Sequence, residues 1–135
     1  MGLFQSKASK EELEVALTKA KEIVSSNPVV VFSRRAGSSV FAKLISITKI
    51  YCPYCTRVKQ LLTQLGASYK VIELDKESDG SIIQSALGEW TGQRTVPNVF
   101  IGGKHIGGCD TVVEKHQEGK LVPLLVDAAA IAVKL

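Results

Sequence analysis

Residues 29–32 form an uninterrupted run of β-forming apolar residues, three valines followed by a phenylalanine. A strand with one face in water would place a polar residue at every second position, and this run has none. The run therefore predicts a strand that is buried on both faces. Such a strand needs a sheet that is covered by helices on each side, so the chain is expected to fold as an α/β domain.

Local patterns predict helices and strands on both sides of this run. Ser9 and Glu12 have the spacing of a capping box, and apolar residues then recur at helical spacing to about Ser25. The two-residue turn Gly102-Gly103 predicts a β-hairpin. The predicted order is a helix at 9–25, a strand at 29–32, a helix ended by Gly66, a strand at 69–74, a short helix stopped by Gly92, strands at 96–101 and 104–106, and helices at 110–118 and 121–133. This order predicts one mixed four-stranded sheet flanked by helices.

Length and composition exclude several classes of protein. A chain of 135 residues with 45% hydrophobic and 22% charged residues is one ordinary globular domain. The net charge of +4 comes from basic residues that are interspersed with acids, which argues against nucleic-acid binding. No apolar stretch is long enough for a membrane span, and the first residues lack a secretory apolar core. We therefore expect a cytoplasmic protein.

The first eight residues are predicted to be a flexible N-terminus, with the folded domain at 9–135. Gly2 and Ser6 also match the loose pattern for N-myristoylation. Acylation and an unmodified, frayed terminus are both compatible with this short pattern. One acyl chain would give only weak and reversible membrane association.

Cys52 and Cys55 have C-x-x-C spacing where a helix is predicted to begin. Unpaired N–H groups and the helix dipole at such a position favour the thiolate form of the first cysteine. Cys52 is then a candidate nucleophile, and Cys55 can resolve the mixed disulfide that Cys52 forms. Two alternatives stay open: a pair of inert core cysteines, or part of a zinc site made of Cys52, Cys55, His105 and Cys109.

Three stretches resemble the signature sequences of a dithiol glutaredoxin, and of plant members in particular: YCPYC at 51–55, TGQRTVP at 91–97 and GGCD at 107–110. The resemblance covers nearly the whole chain. It implies a thioredoxin-like fold and a glutathione-disulfide oxidoreductase that uses glutathione as cosubstrate and needs no metal. The implied partners are glutathione and disulfide-bonded or glutathionylated client proteins. The implied activity is reduction of protein disulfides and deglutathionylation by a protein that is mainly a monomer.

The resemblance also implies a role for each matching residue. Cys52 and Cys55 would be catalytic. Lys49 would contact the glycyl carboxylate of glutathione, Val96 beside a cis-Pro97 would pair with its backbone, and Asp110 would lie at the γ-glutamyl end. The full set of implied glutathione-binding residues is Lys49, Tyr54, Gln93, Arg94, Thr95, Val96, Pro97, Gly108, Cys109 and Asp110.

Residues 34–48 depart from the family pattern, in which the strand runs directly into the active-site lysine. This 15-residue segment contains a second candidate strand at 44–48. We predict that residues 29–33 form the central strand, because a central strand needs apolar groups on both faces. Two other functions stay open. The segment could impair catalysis, or the protein could carry a glutathione-ligated iron-sulfur cluster, a role that Pro53 disfavours by resemblance to family members without clusters.

Overall fold

Helices and strands follow the predicted order over the residues that the computed structural model describes, 9–34 and 53–131. Helix α1 begins after the N-cap residue Ser9, whose side chain forms the predicted capping box with Glu12. The elements are α1 (Lys10–Ser26), β1 (Val29–Ser33), α2 (Pro53–Gln64), β2 (Lys70–Glu73), α3 (Gly80–Thr91), β3 (Asn98–Ile101), β4 (Lys104–Gly107), α4 (Cys109–Gln117) and α5 (Leu121–Asp127).

The four strands form one mixed sheet in the order β2-β1-β3-β4. Strand β1 is parallel to β2 and antiparallel to β3, and β3 and β4 form the predicted hairpin. All five residues of β1 are buried. Residues 29–33 therefore occupy an inner position of the sheet, as predicted, and the rival strand at 44–48 lies outside the described residues.

Helices cover both faces of the sheet, as the apolar run requires. Val29 and Val31 pack with apolar residues of α2, α4 and α5 on one face. Val30 and Phe32 pack with α1 and α3 on the other face. On that second face, the rings of Trp90 and Phe100 are stacked with their centroids 5.0 Å apart. The thioredoxin-like α/β fold that the sequence predicts is thus confirmed.

Three helices end with the same pair of hydrogen bonds. After α2, α4 and α5, the backbone amide two residues beyond the last helical residue donates to the carbonyl three residues before it. The next backbone amide donates to the carbonyl five residues before it. This Schellman motif needs a positive φ at the residue two beyond the helix. Gly66, Gly119 and Ala129 hold that position, with φ of 75°, 74° and 62°.

The prediction of a last helix over 121–133 is wrong in length. Helix α5 ends at Asp127, and the chain turns at Ala129. The carbonyl of Ala130 then accepts a hydrogen bond of 2.8 Å from the amide of Ser68, which ties this turn to the loop after α2. Tertiary contacts therefore end a helix whose apolar pattern continues.

Among the described residues, no helix is both long and apolar enough to cross a bilayer. The predicted N-terminus at 1–8, with Gly2 and Ser6, lies outside the described residues. The domain boundary at residue 9 stays a prediction.

Candidate functional site

A cleft of about 410 Å³ opens where the start of α2, the loop at 91–97 and the start of α4 meet. These three segments are the ones that carry the signature stretches. The sheet brings them together, because α2, β3 and α4 are packed side by side on the same core. The cleft is lined by Tyr54, Gln93, Thr95, Val96, Pro97, Gly108, Cys109, Asp110 and Thr111.

Side chains form hydrogen bonds with the backbone of residues 93, 94, 95 and 97 in this loop. The side-chain amide of Gln93 donates to the carbonyls of Thr95 (3.1 Å) and Pro97 (3.0 Å). The side-chain amide of Asn98 donates to the backbone carbonyl of Gln93 at 3.4 Å. The hydroxyl of Thr91 accepts a hydrogen bond of 3.1 Å from the backbone amide of Gln93. The peptide bond before Pro97 is cis, as the resemblance implies. Strand β3 consequently begins at Asn98, two residues later than predicted.

Arg94 contacts helix α3, whereas its neighbours in the loop line the cleft. Its carbonyl accepts a 2.7 Å hydrogen bond from the side chain of Gln84 on α3. Its aliphatic stem lies against Gly88, where a Cβ atom would be only 2.5 Å from Arg94 Cγ. Arg94 is exposed and is not among the residues that line the cleft. Its implied role in glutathione binding stays a prediction.

The start of α4 forms the opposite wall of the cleft. Gly108 is the N-cap residue, and no side chain caps the first turn, so the backbone amides of this turn can donate hydrogen bonds to an anion in the cleft. Cys109 is 5% exposed and is a free thiol. Burial raises the pKa of this thiol, Arg57 opposes the rise, and the carboxylate of Asp110 adds to it. The thiolate form of Cys109 is therefore less favoured than that of an ordinary cysteine.

The start of α2 supplies the third wall. Tyr54 is 58% exposed and lines the cleft, as predicted, whereas Cys55 is buried one position further along and is disulfide-bonded. Helix α2 begins at Pro53, in agreement with the preference of proline for the first helical position. Cys52 and Lys49 lie outside the described residues, and their roles stay predictions.

The zinc alternative gains no support from the described residues. Within 9–34 and 53–131, no three side chains of His, Cys, Asp or Glu are grouped as metal ligands. Cys52, one member of the four-residue set, lies outside those ranges.

The cleft thus brings together the predicted residues Tyr54, Gln93, Thr95, Val96, Pro97, Gly108, Cys109 and Asp110. Thr111 also lines it and was not predicted, although its place after Asp110 in the first turn of a helix could have indicated it. Gln84 was missed as well, because its link to the loop is a tertiary contact with no local sequence signal.

Comparison with known proteins gives one consistent result. A model of the family described as Glutaredoxin matches residues 29–106 of this chain. A glutaredoxin from Ricinus communis is 65% identical over 117 residues, which cover 87% of this chain and all of the relative. Glutaredoxin-C1 from Arabidopsis thaliana is 63% identical over 127 residues, which cover 94% of this chain and 90% of the relative.

Solved structures agree with the sequence relatives. A buckwheat glutaredoxin in complex with glutathione is similar to this chain with a TM-score of 0.80 and 58% identity. The similarity covers 93% of this chain and all of the buckwheat chain.

Proposed function

Because the chain belongs to the glutaredoxin family, we propose that it reduces protein disulfides and glutathione mixed disulfides through Cys52. Members of the family are glutathione-dependent thiol oxidoreductases, and this chain is one of them, with glutathione as its cosubstrate. The finer statement concerns the clients: disulfide-bonded proteins, and proteins whose thiols are capped by glutathione.

One observation carries the proposal for this chain. The exposed Tyr54, the braced loop at 93–97 and the uncapped start of α4 line a single cleft beside the start of the helix that Cys52 precedes. A tripeptide needs such a site, because an extended backbone pairs with an extended loop and a carboxylate pairs with free amides. The buckwheat relative, with which this chain shares its fold, was solved with glutathione.

The start of α2 suits a cysteine nucleophile at Cys52. The positive end of the helix dipole and the unpaired amides of a first turn lower the pKa of a thiol that precedes them. In the proposed reaction, the Cys52 thiolate attacks the glutathione sulfur of a mixed disulfide. The Cys52–glutathione disulfide forms, and the client sulfur leaves as a thiolate and takes a proton from solvent.

A second glutathione completes the cycle. Its thiolate attacks the glutathione sulfur held by Cys52, which forms oxidised glutathione and releases the Cys52 thiolate. With a client disulfide, Cys52 first forms a mixed disulfide with the client. Cys55 then attacks Cys52, the client leaves as a dithiol, and two glutathione molecules reduce the Cys52–Cys55 pair. The buried position of Cys55 on α2 is consistent with a resolving rather than an attacking thiol.

The test measures reduction of a glutathione mixed disulfide by glutathione, coupled to glutathione reductase and followed as consumption of NADPH. The wild type, Cys52→Ser and Cys55→Ser are compared. We expect turnover in the wild type and in Cys55→Ser, and none in Cys52→Ser. The same three chains are then given a client disulfide, where Cys55→Ser should lose activity.

Two outcomes would contradict the proposal. Equal loss of deglutathionylation in both cysteine variants would show that the reaction needs two thiols. No turnover by folded wild type would show that residues 34–48, which stand next to the active-site motif in the sequence, prevent catalysis.

A further inference from the structure

Gln84 on α3 joins two segments that are far apart in sequence. Its carbonyl oxygen accepts a 2.5 Å hydrogen bond from the guanidinium of Arg34. Its amide nitrogen donates a 2.7 Å hydrogen bond to the carbonyl of Arg94. Arg34 directly follows the last residue of β1, and Arg94 belongs to the loop that lines the cleft. One side chain therefore connects the end of the inner strand to the loop.

The chemistry of the two neighbours determines the orientation of this amide. A guanidinium has only donors, and a backbone carbonyl has only acceptors. If the Gln84 amide were rotated by half a turn, it would present a donor to Arg34 and an acceptor to Arg94, and both bonds would be lost. Arg34 thus holds the amide nitrogen of Gln84 toward the loop.

The bond from Gln84 complements the bonds within the loop. Gln93 and Asn98 satisfy the carbonyls of residues 93, 95 and 97 from within the loop and from β3. The carbonyl of Arg94 is instead held from α3, a rigid helix that packs on α1 and on the sheet. The bond from Gln84 consequently joins the loop to α3, beside the contact of the Arg94 stem with Gly88.

We propose that Gln84 is a positioning residue for the glutathione-binding loop, and that Arg34 acts through Gln84 by orienting its amide. The proposal rests on the proposed function, because it assigns to the loop the binding of the glutathione part of the substrate. It also gives a role to the first residue of the segment at 34–48, which departs from the family pattern.

The test compares steady-state kinetics of deglutathionylation in Gln84→Met, Gln84→Glu and the wild type. Gln84→Met keeps the length of the side chain and removes both bonds. Gln84→Glu keeps the acceptor for Arg34 but places a carboxylate oxygen against the carbonyl of Arg94. We expect a rise of about fivefold to tenfold in KM for the mixed disulfide in both variants, with kcat within about twofold, as for loss of one hydrogen bond that positions substrate.

Gln117→Met is the matched control, because Gln117 is exposed at the end of α4 and its side chain makes no hydrogen bond within the described residues. Its KM should equal that of the wild type. Thermal unfolding of each variant separates positioning from stability. Unchanged KM in both Gln84 variants would overturn the proposal, and so would a fall in kcat that accompanies a lower melting temperature. Failure of the wild type to turn over would instead contradict the proposed function.

A double-mutant cycle tests the role of Arg34. In the wild-type background, Arg34→Ala should raise KM by less than Gln84→Met does. In the Gln84→Met background, Arg34→Ala should cause no further rise in KM. An equal effect of Arg34→Ala in both backgrounds would show that Arg34 contacts substrate directly, which would overturn its assignment as a residue that acts through Gln84.

Discussion

The ammonium of Lys59 and a carboxylate oxygen of Glu73 lie 2.8 Å apart, in an ion pair that joins α2 to β2. Both side chains are largely shielded, with 22% and 17% of their surface exposed. The second oxygen of Glu73 is buried and has no hydrogen-bond partner among the described residues. Ser33 is the residue paired with Glu73 in the sheet, and its hydroxyl is also buried without a hydrogen-bond partner among the described residues. Loss of Lys59 would therefore leave a shielded carboxylate with little compensation.

Lys59→Met should lower the free energy of unfolding by about 1–3 kcal/mol, because it removes one partner of a shielded ion pair. Replacing both residues by methionine should cost less than the single change, since no uncompensated charge then remains. The measurement is urea unfolding followed by fluorescence of Trp90, the single tryptophan. The control is the exposed ion pair of Lys120 and Glu118. There, Lys120→Met should change the free energy of unfolding by less than about 0.5 kcal/mol. Equal costs at the two lysines would refute this account.

Ala129→Gly should stabilise the protein. Ala129 has a φ of 62° in the Schellman motif after α5, where the equivalent positions after α2 and α4 are glycines. A left-handed conformation costs an L-residue about 1–2 kcal/mol, and the extra chain entropy of glycine offsets part of the gain. We expect a net gain of about 0.5–1 kcal/mol in urea unfolding. Ala128→Gly, where φ is −84°, is the matched control and should destabilise the protein. A lower free energy of unfolding for Ala129→Gly than for Ala128→Gly would contradict the prediction.

The thiol of Cys109 should react slowly at neutral pH. Burial raises its pKa, so the thiolate fraction at pH 7 is smaller than for an ordinary cysteine and grows only as pH rises beyond the ordinary range. In a Cys52→Ser, Cys55→Ser chain, alkylation by iodoacetamide reports on Cys109 alone. Arg57→Ala should slow alkylation further at any given pH, because Arg57 lowers this pKa. Alkylation in the folded chain as fast as in urea would refute the prediction.

Gly108 should tolerate a methyl group but no larger side chain. A Cβ atom at Gly108 would lie 3.5 Å from the carbonyl oxygen of Pro97, an ordinary van der Waals contact, so Gly108→Ala should keep KM within about twofold. Gly108→Leu would fill the cleft and should raise KM by about tenfold or more. Gln64→Leu, on the exposed end of α2, controls for an added leucine. Similar KM values for the Ala and Leu variants at position 108 would show that substrate does not occupy this part of the cleft.

Local sequence patterns predicted one inner strand, the start of the first helix and two helix ends. The apolar run at 29–32 predicted a strand buried on both faces, and Ser9 with Glu12 predicted the start of α1. Gly66 and Gly92 predicted two helix ends, since glycine adopts positive φ without strain. The end of α5 could not be predicted in this way, because an alanine occupies the position where glycine would be the signal.

The sequence by itself determined the sheet, the family resemblance and eight of the nine residues that line the cleft. The sheet follows from residue types at fixed spacing, whereas the cleft residues follow from the resemblance of three sequence stretches to the glutaredoxin signatures. Only the tertiary structure decided that Arg94 packs over Gly88 away from the cleft, and that Gln84 connects Arg34 to the loop. A hydrogen bond between residues 50 positions apart has no period or local motif. It exists only after the sheet and α3 have brought the two side chains within bonding distance.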